Sequence, residues 1–335
     1  MTSNAGLRFT RRTLLAAGAA ALAAPARGKV GPMHPGIRLR PDREEMVEVS
    51  GGRVYVRING DLAGPRPPIV LLHGGPGSSH WYFLNATALA DERAVILYDQ
   101  LDSGRSDHPA DPANWTVPRF VAELDAIRAA LDVPRWHVLG ASWGGTVALE
   151  YAARQPKELA SAVLQSLLVS TDIWLRDARV LKDRMPPATR DLLYACDSEG
   201  KASAEACAAA TDAFYARHVH LTEPPPAIAA YKEALPRSFS EDVYRHMWGR
   251  AEFTASGTLK DYDGRHLLER LDGRRTLFVA GEHDEALPAT VAGFARQVPG
   301  ATFREVPAAA HLAMGDNPEA YLAILRPWLA SRDAG

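Results

Sequence analysis

Residues 138–150 read VLGASWGGTVALE: an apolar run, a serine set among glycines, then a helix-like run. No other stretch restricts the fold as much. Gly140-x-Ser142-x-Gly144 at a strand-to-helix junction demands a very tight turn. Without side chains at Gly140 and Gly144, strand and helix can approach closely around a strained residue. The serine hydroxyl then stands at the carboxyl end of a strand, where open α/β sheets bind their ligands. The same residues would also suit a plain glycine-rich loop. The choice depends on whether the rest of the chain supplies a sheet and partners for the serine.

The sheet is legible in the spacing of apolar residues. MVEVS and RVYVRIN alternate apolar and polar positions around Gly51-Gly52, which predicts a hairpin. PPIVLLHGG, RAVILYDQ and RWHVLGAS each hold a short apolar run, as strands buried on both faces do. Between the last two, TVPRFVAELDAIRAALDV has helical spacing, with Thr116 at the N-cap and Pro118 in the first turn. A helix over 144–154 and a strand in LASAVLQSLLVS continue the alternation. From about 171 to 270 it breaks into helix-forming stretches, prolines and aromatics with no clear buried strand. It resumes with RRTLFVAGEHDE, a helix over 289–297, TFREVPAAAH and a helix from about 318 to 331. Strand alternating with helix predicts an α/β fold with a mostly parallel, doubly covered sheet. Two consecutive domains would leave two strands alone at the C-terminus, a poor sheet. Residues 44–170 and 271–335 are therefore expected to share one core, with 171–270 inserted as a helical lid.

The 335 residues are 47% hydrophobic and 23% charged with a formal net charge of −2, enough for a large core without the basic surplus of a nucleic-acid binder. No apolar stretch is long enough to cross a bilayer, so the mature chain is expected to have no membrane partner. Residues 1–26 stand apart. Arg11-Arg12, an apolar stretch from Leu14 to Ala24 and the small residues Ala24-Pro25-Ala26 predict an export signal of the twin-arginine type. A mitochondrial-type presequence or a disordered tail is the alternative. Export would put the protein in the periplasm or outside the cell. There Cys196 and Cys207 could pair; in a reducing compartment they would be two small thiols.

A serine hydroxyl is a weak nucleophile until an oriented base takes its proton. After an elbow of this kind the acid follows in sequence and the histidine comes last. Asp284, just past the strand TLFVA, and His311, just past TFREV, would both reach the sheet edge that carries Ser142. Glu282 competes for the acid. His73 precedes the serine, and His283 adjoins the acid too closely to bridge it to the serine. The glycines of LLHGGPGSSHW would let the backbone bend toward Ser142. The N–H groups of Gly75 and Trp143 are then expected to hold a tetrahedral oxyanion. No cofactor or metal is expected.

With these residues in view, HGGPG, YDQLDSGRSD, GASWGG, MWGRAEFTASGTLKDYD and GEHDE together resemble the prolyl aminopeptidases (proline iminopeptidases), serine peptidases of the α/β-hydrolase superfamily. The similarity runs from about residue 47 to the C-terminus. It implies release of an N-terminal residue, preferably proline, from peptides or small amides. It also implies Ser142, Asp284 and His311 as the triad, and Glu252 and Glu285 as carboxylates that hold the substrate's amino group. An exopeptidase must distinguish a chain end from a chain middle, and the end carries an ammonium with a pKa near 8. Trp143, Tyr244, Trp248 and Phe253 are candidates to line a slot for the pyrrolidine ring, or else to pack as lid core. Asp102 stands where the family usually has glycine; it would add a carboxylate near the mouth of the site or serve as a turn residue. An amidase or esterase with the same triad is the nearest alternative, and a silent ligand-binding scaffold a more distant one. Dehalogenases and epoxide hydrolases need a carboxylate at the elbow, where this chain has Ser142.

Overall fold

The computed structural model describes residues 29–197 and 201–334. The expected leader, residues 1–26, lies outside the described residues. Eight strands form the central sheet: β1 (Arg43–Val49), β2 (Gly52–Asn59), β3 (Ile69–Leu72), β4 (Val95–Tyr98), β5 (Trp136–Ala141), β6 (Leu159–Gln165), β7 (Thr276–Gly281) and β8 (Thr302–Val306). Their order is β8-β7-β6-β5-β3-β4-β2-β1. The β1–β2 hairpin joins antiparallel through β2 to β4, and every other pairing is parallel.

Period two along each strand divides the core into two layers. Val70, Leu72, Ile96, Tyr98 and Val138 face α1 (Val117–Ala130) and α2 (Trp143–Ala152), meeting Phe120, Leu124, Val147 and Leu149. Ile69, Leu71, Val95, Leu97 and Leu139 face the other way, onto Phe83, Leu84, Tyr321 and Leu325. With helices on both faces, the inner strands have no polar side, which is why they read as continuous apolar runs.

Between β6 and β7 lie five longer helices: α3 (Thr171–Asp183), α4 (Pro187–Cys196), α5 (Ala204–His218), α6 (Pro226–Glu233) and α7 (Glu241–Met247). They carry a small apolar cluster of their own around Leu181, Leu193, Phe214 and Phe253. Cys196 and Cys207 are joined by a disulfide that ties the end of α4 to α5. After β7 come α8 (Pro288–Gln297) and α9 (Pro318–Ala330).

Local differences from the sequence reading have physical causes. Thr116 holds the N-cap position of α1, but its side chain does not cap. The 171–270 segment contains a short antiparallel pair, Gly249–Ala251 with Thr254–Ala255, too short to print a strand pattern. The run His80–Asp91 is 3₁₀-helical with ten of its twelve residues buried. It has no polar face, so it shows no periodicity to read.

Candidate active site

The elbow is built as its glycines require. Ser142 sits between β5 and α2 with φ +55° and ψ −124°, a region that an L-residue occupies only when its surroundings impose it. A Cβ on Gly140 would lie 2.0 Å from the Gly144 carbonyl oxygen, and one on Gly144 would lie 2.1 Å from that of Leu72. The HGGPG loop comes off β3 directly beside it: a Cβ on Gly74 would be 2.8 Å from Ser142 Cβ. Gly75 and Trp143 border the same cleft as Ser142. Among the described residues neither of their N–H groups has an acceptor, as donors waiting for an oxyanion must be.

Asp284 and His311 leave the ends of β7 and β8 and meet. His311 Nδ1 lies 2.8 Å from Asp284 Oδ1, with the carboxylate 1% and the imidazole residue 6% exposed. Asp284 also accepts from Ser166 Oγ at 2.5 Å, Gly281 N at 3.0 Å and Ala286 N at 2.9 Å. Burial alone would lower the His311 pKa, but the charge of Asp284, its hydrogen bond and the charge of Glu252 outweigh it and raise the value. Ser142 is tied to this pair through the end of β6. Its N–H donates to Gln165 O at 2.9 Å, and Gln165 Nε2 donates to His311 O at 2.8 Å. Ser142 Oγ makes no hydrogen bond to His311 in this structure.

The rival residues have other tasks. His73 is fully buried, accepts from Gln100 N at 2.9 Å and is held down to a pKa of about 4 by burial. His283 and Glu282 are exposed, and Glu282 accepts from Ala308 N. Asp102 is not a carboxylate at the mouth of the site. It is fully buried at φ +66°, and it accepts from Trp115 Nε1 at 2.7 Å and Ala110 N at 2.8 Å. It is a turn residue.

Two glutamates adjoin the triad, Glu285 buried and Glu252 half-buried. Glu252 borders the Ser142 cleft and accepts from Tyr244 Oη at 2.9 Å. Glu285 Oε1 is buried without a hydrogen-bond partner, 3.7 Å from His311 Nε2. Burial raises the pKa of both, and for Glu285 the charges of Glu252 and Asp284 add to it. Glu285 and His311, both on the core, are tied to the inserted segment: the N–H of each donates to His218 O.

The aromatics divide. Trp248 borders the cleft together with Trp174, Leu168, Leu259 and Pro76. Tyr244 is not a slot wall; its hydroxyl is spent on Glu252. Phe253 belongs to the helical cluster, 5.1 Å from Phe214 and 4.4 Å below Lys182 Nζ. Sequence reasoning missed Trp174, which packs edge-on against both Trp248 and His311 and donates to Glu252 O. It also missed Gln165 and Ser166. None of the three sits in a motif, and each acts across elements distant in sequence. A larger hollow of about 650 Å³ between Trp81, Ile228 and Leu312 contains none of these groups. Among the described residues no cluster of three or more His, Cys, Asp or Glu is placed to hold a metal ion, and no helix is long and apolar enough to cross a membrane.

Comparison with known proteins agrees with this geometry. Residues 67–318 match the α/β hydrolase fold family. A proline iminopeptidase of Heyndrickxia coagulans is 36% identical over 289 residues, covering 86% of this chain and 99% of that protein. One from Levilactobacillus brevis is 36% identical over 296 residues, covering 87% and 97%. The crystal structure of a Mycobacterium smegmatis proline iminopeptidase superposes with a TM-score of 0.78 at 35% identity, covering 87% of this chain and 99% of that one. The motif resemblance thus extends over nearly all of both chains, and this protein belongs to the proline iminopeptidase family of α/β hydrolases.

Proposed function

We propose that this protein is a serine aminopeptidase that removes an N-terminal residue, preferably proline, from peptides or small amides. The observation that carries the reading is the pair of glutamates beside the triad, Glu252 half-buried and Glu285 buried with an oxygen that accepts no hydrogen bond. A buried carboxylate is costly unless a cation or donors meet it. A substrate ammonium would supply both, and an internal amide would not. His311 takes the proton of Ser142 Oγ as the hydroxyl attacks the first carbonyl. The Gly75 and Trp143 N–H groups receive the oxyanion. Protonated His311 then gives its proton to the leaving amine, and water, activated by the same imidazole, releases the acyl group. The apolar Trp174, Trp248 and Leu259 walls of the cleft suit a small compact ring as the acyl residue.

The segment 171–270 acts in this reading as the lid, because it brings Trp174, Trp248 and Glu252 to the serine. Turnover of prolyl, alanyl and leucyl arylamides should rank proline first. Equal rates on all three would leave an aminopeptidase without proline preference. We also propose export by the twin-arginine route. The Arg11-Arg12 leader supports it, as does the Cys196–Cys207 disulfide, a bond that persists in oxidising compartments. Cell fractionation should recover a shortened chain outside the cytoplasm; full-length protein confined to the cytoplasm would contradict it.

A further inference from the structure

The last residue of β6 and the one after it touch the segments of all three proposed triad members. Gln165 O accepts from Ser142 N at 2.9 Å, and Gln165 Nε2 donates to His311 O at 2.8 Å. The other side of that amide is fixed as well, since Tyr321 Oη donates to Gln165 Oε1 at 2.9 Å. Ser166 follows with φ +49°, fully buried, its N–H donating to Val279 O on β7 at 2.8 Å. Its hydroxyl donates to Asp284 Oδ2 at 2.5 Å, while Oδ1 faces His311. A serine held in the left-handed region with no exposed surface is conformationally costly, because glycine would adopt that backbone freely. The hydroxyl is what glycine would lack.

We infer that Ser166 is a positioning residue of the triad, acting on His311 through Asp284, with Gln165 fixing the spacing between the serine and histidine segments. The inference rests on the triad assigned above. The mechanism is electrostatic and orientational. The Ser166 O–H fixes the carboxylate plane so that Oδ1 meets Nδ1. Its dipole also draws negative charge toward Oδ2, away from the imidazole. Removing it leaves more charge on Oδ1, which favours imidazolium and moves the acid limb of activity to higher pH. The other titratable groups around the imidazole are Glu285 and Glu252, with His218 and Tyr321 beyond Asp284.

The test uses Ser166→Gly and Ser166→Ala in the full chain. Glycine accepts the positive φ, which offsets part of the cost of the lost hydrogen bond, so Ser166→Gly should remain well folded while lacking the hydroxyl. Both variants should lower kcat about tenfold with KM within about twofold, as loss of one charge-assisted hydrogen bond to a catalytic carboxylate would. The rate at which a fluorophosphonate labels Ser142 should show its acid limb displaced upward by about half a pH unit. Labelling needs the triad but no ammonium pocket. Wild-type protein that labels normally but does not turn over free-amine substrates would therefore count against the aminopeptidase reading and not against Ser166, whereas a Ser166 variant that labels with the wild-type pH profile would count against Ser166. An unmoved acid limb and wild-type kcat in well-folded Ser166→Gly would overturn the inference. So would activity that falls only in proportion to the folded fraction.

Discussion

Ser142 occupies a backbone conformation that costs of order 1–3 kcal/mol, and the chain retains it at the mouth of a cleft. The Gly140 and Gly144 contacts impose that conformation. A Ser142→Ala substitution leaves the backbone as it is and should lower kcat by about 10⁵-fold or more, with unchanged melting; residual turnover within tenfold of wild type would remove the nucleophile. Glu285 makes a sharper case, because two effects of one substitution have opposite signs. Glu285→Gln should reduce kcat/KM for free-amine substrates by about 30-fold or more, as expected for breaking a buried ion pair with the ligand. It should have little effect on an N-capped substrate. The same substitution should stabilise the free protein above mildly acidic pH. The folded-state pKa of Glu285 is raised, so the native protein binds more protons than the unfolded chain between the unfolded value, about 4.3, and the raised one. Wild-type stability falls across that window, and the Gln variant escapes the loss. Thermal melts at pH 4 and pH 8 check it: the gain should be near zero at pH 4 and largest at pH 8.

At the scale of elements, the spacing of short apolar runs made the sheet readable, and the glycines located the turn that matters. Both signals are local: Ile69–Leu72 and Trp136–Ala141 are buried on both faces and bounded by breakers. Asp284 and His311 were legible for a related reason. Each follows directly on a strand, and parallel strands deliver their following loops to one edge. The lid was legible only as a break in the pattern. Whether Trp174 on α3 or Phe253 in the turn of the short hairpin meets the cleft depends on how each packs, Trp174 against Trp248 and His311, Phe253 against Phe214 of α5. Tyr244 was left open between slot and packing, because its hydroxyl bond to Glu252 depends on the turn between α7 and the short Gly249–Ala255 hairpin. Asp102 was ambiguous until Trp115, thirteen residues away, was seen to donate to it. The tightest element contact gives a test of its own. Gly144→Ala would drive a Cβ into the Leu72 carbonyl at 2.1 Å, and backbone cannot yield as a flexible side chain can. It should destabilise by about 3 kcal/mol or more, read as a fall in the urea midpoint. A midpoint within experimental error of wild type would mean that the junction is looser than described.

Over the whole molecule, the proposed function has the core supplying nucleophile, base, acid and oxyanion donors, while the segment inserted between β6 and β7 brings Glu252, Trp174 and Trp248 to the cleft. In that reading hydrolysis is the task of the core, while the contacts to a chain end come from both parts, Glu285 beside Asp284 on the core and Glu252 on the inserted segment. This division predicts a bell-shaped pH dependence of kcat/KM. Activity should rise with pH as His311 and the glutamate pair, all shifted upward, lose protons. It should fall again near pH 8 as the substrate ammonium deprotonates. An N-capped substrate has no ammonium to lose and should show no alkaline decline from that source. The most direct measurement is kcat/KM at neutral pH for a prolyl arylamide and for its N-acetylated counterpart, with the same preparation of protein. The free amine should be preferred by at least about a hundredfold, as a buried charge pair worth about 3 kcal/mol requires. Equal values for the two would contradict a site in which Glu252 and Glu285 hold a chain end.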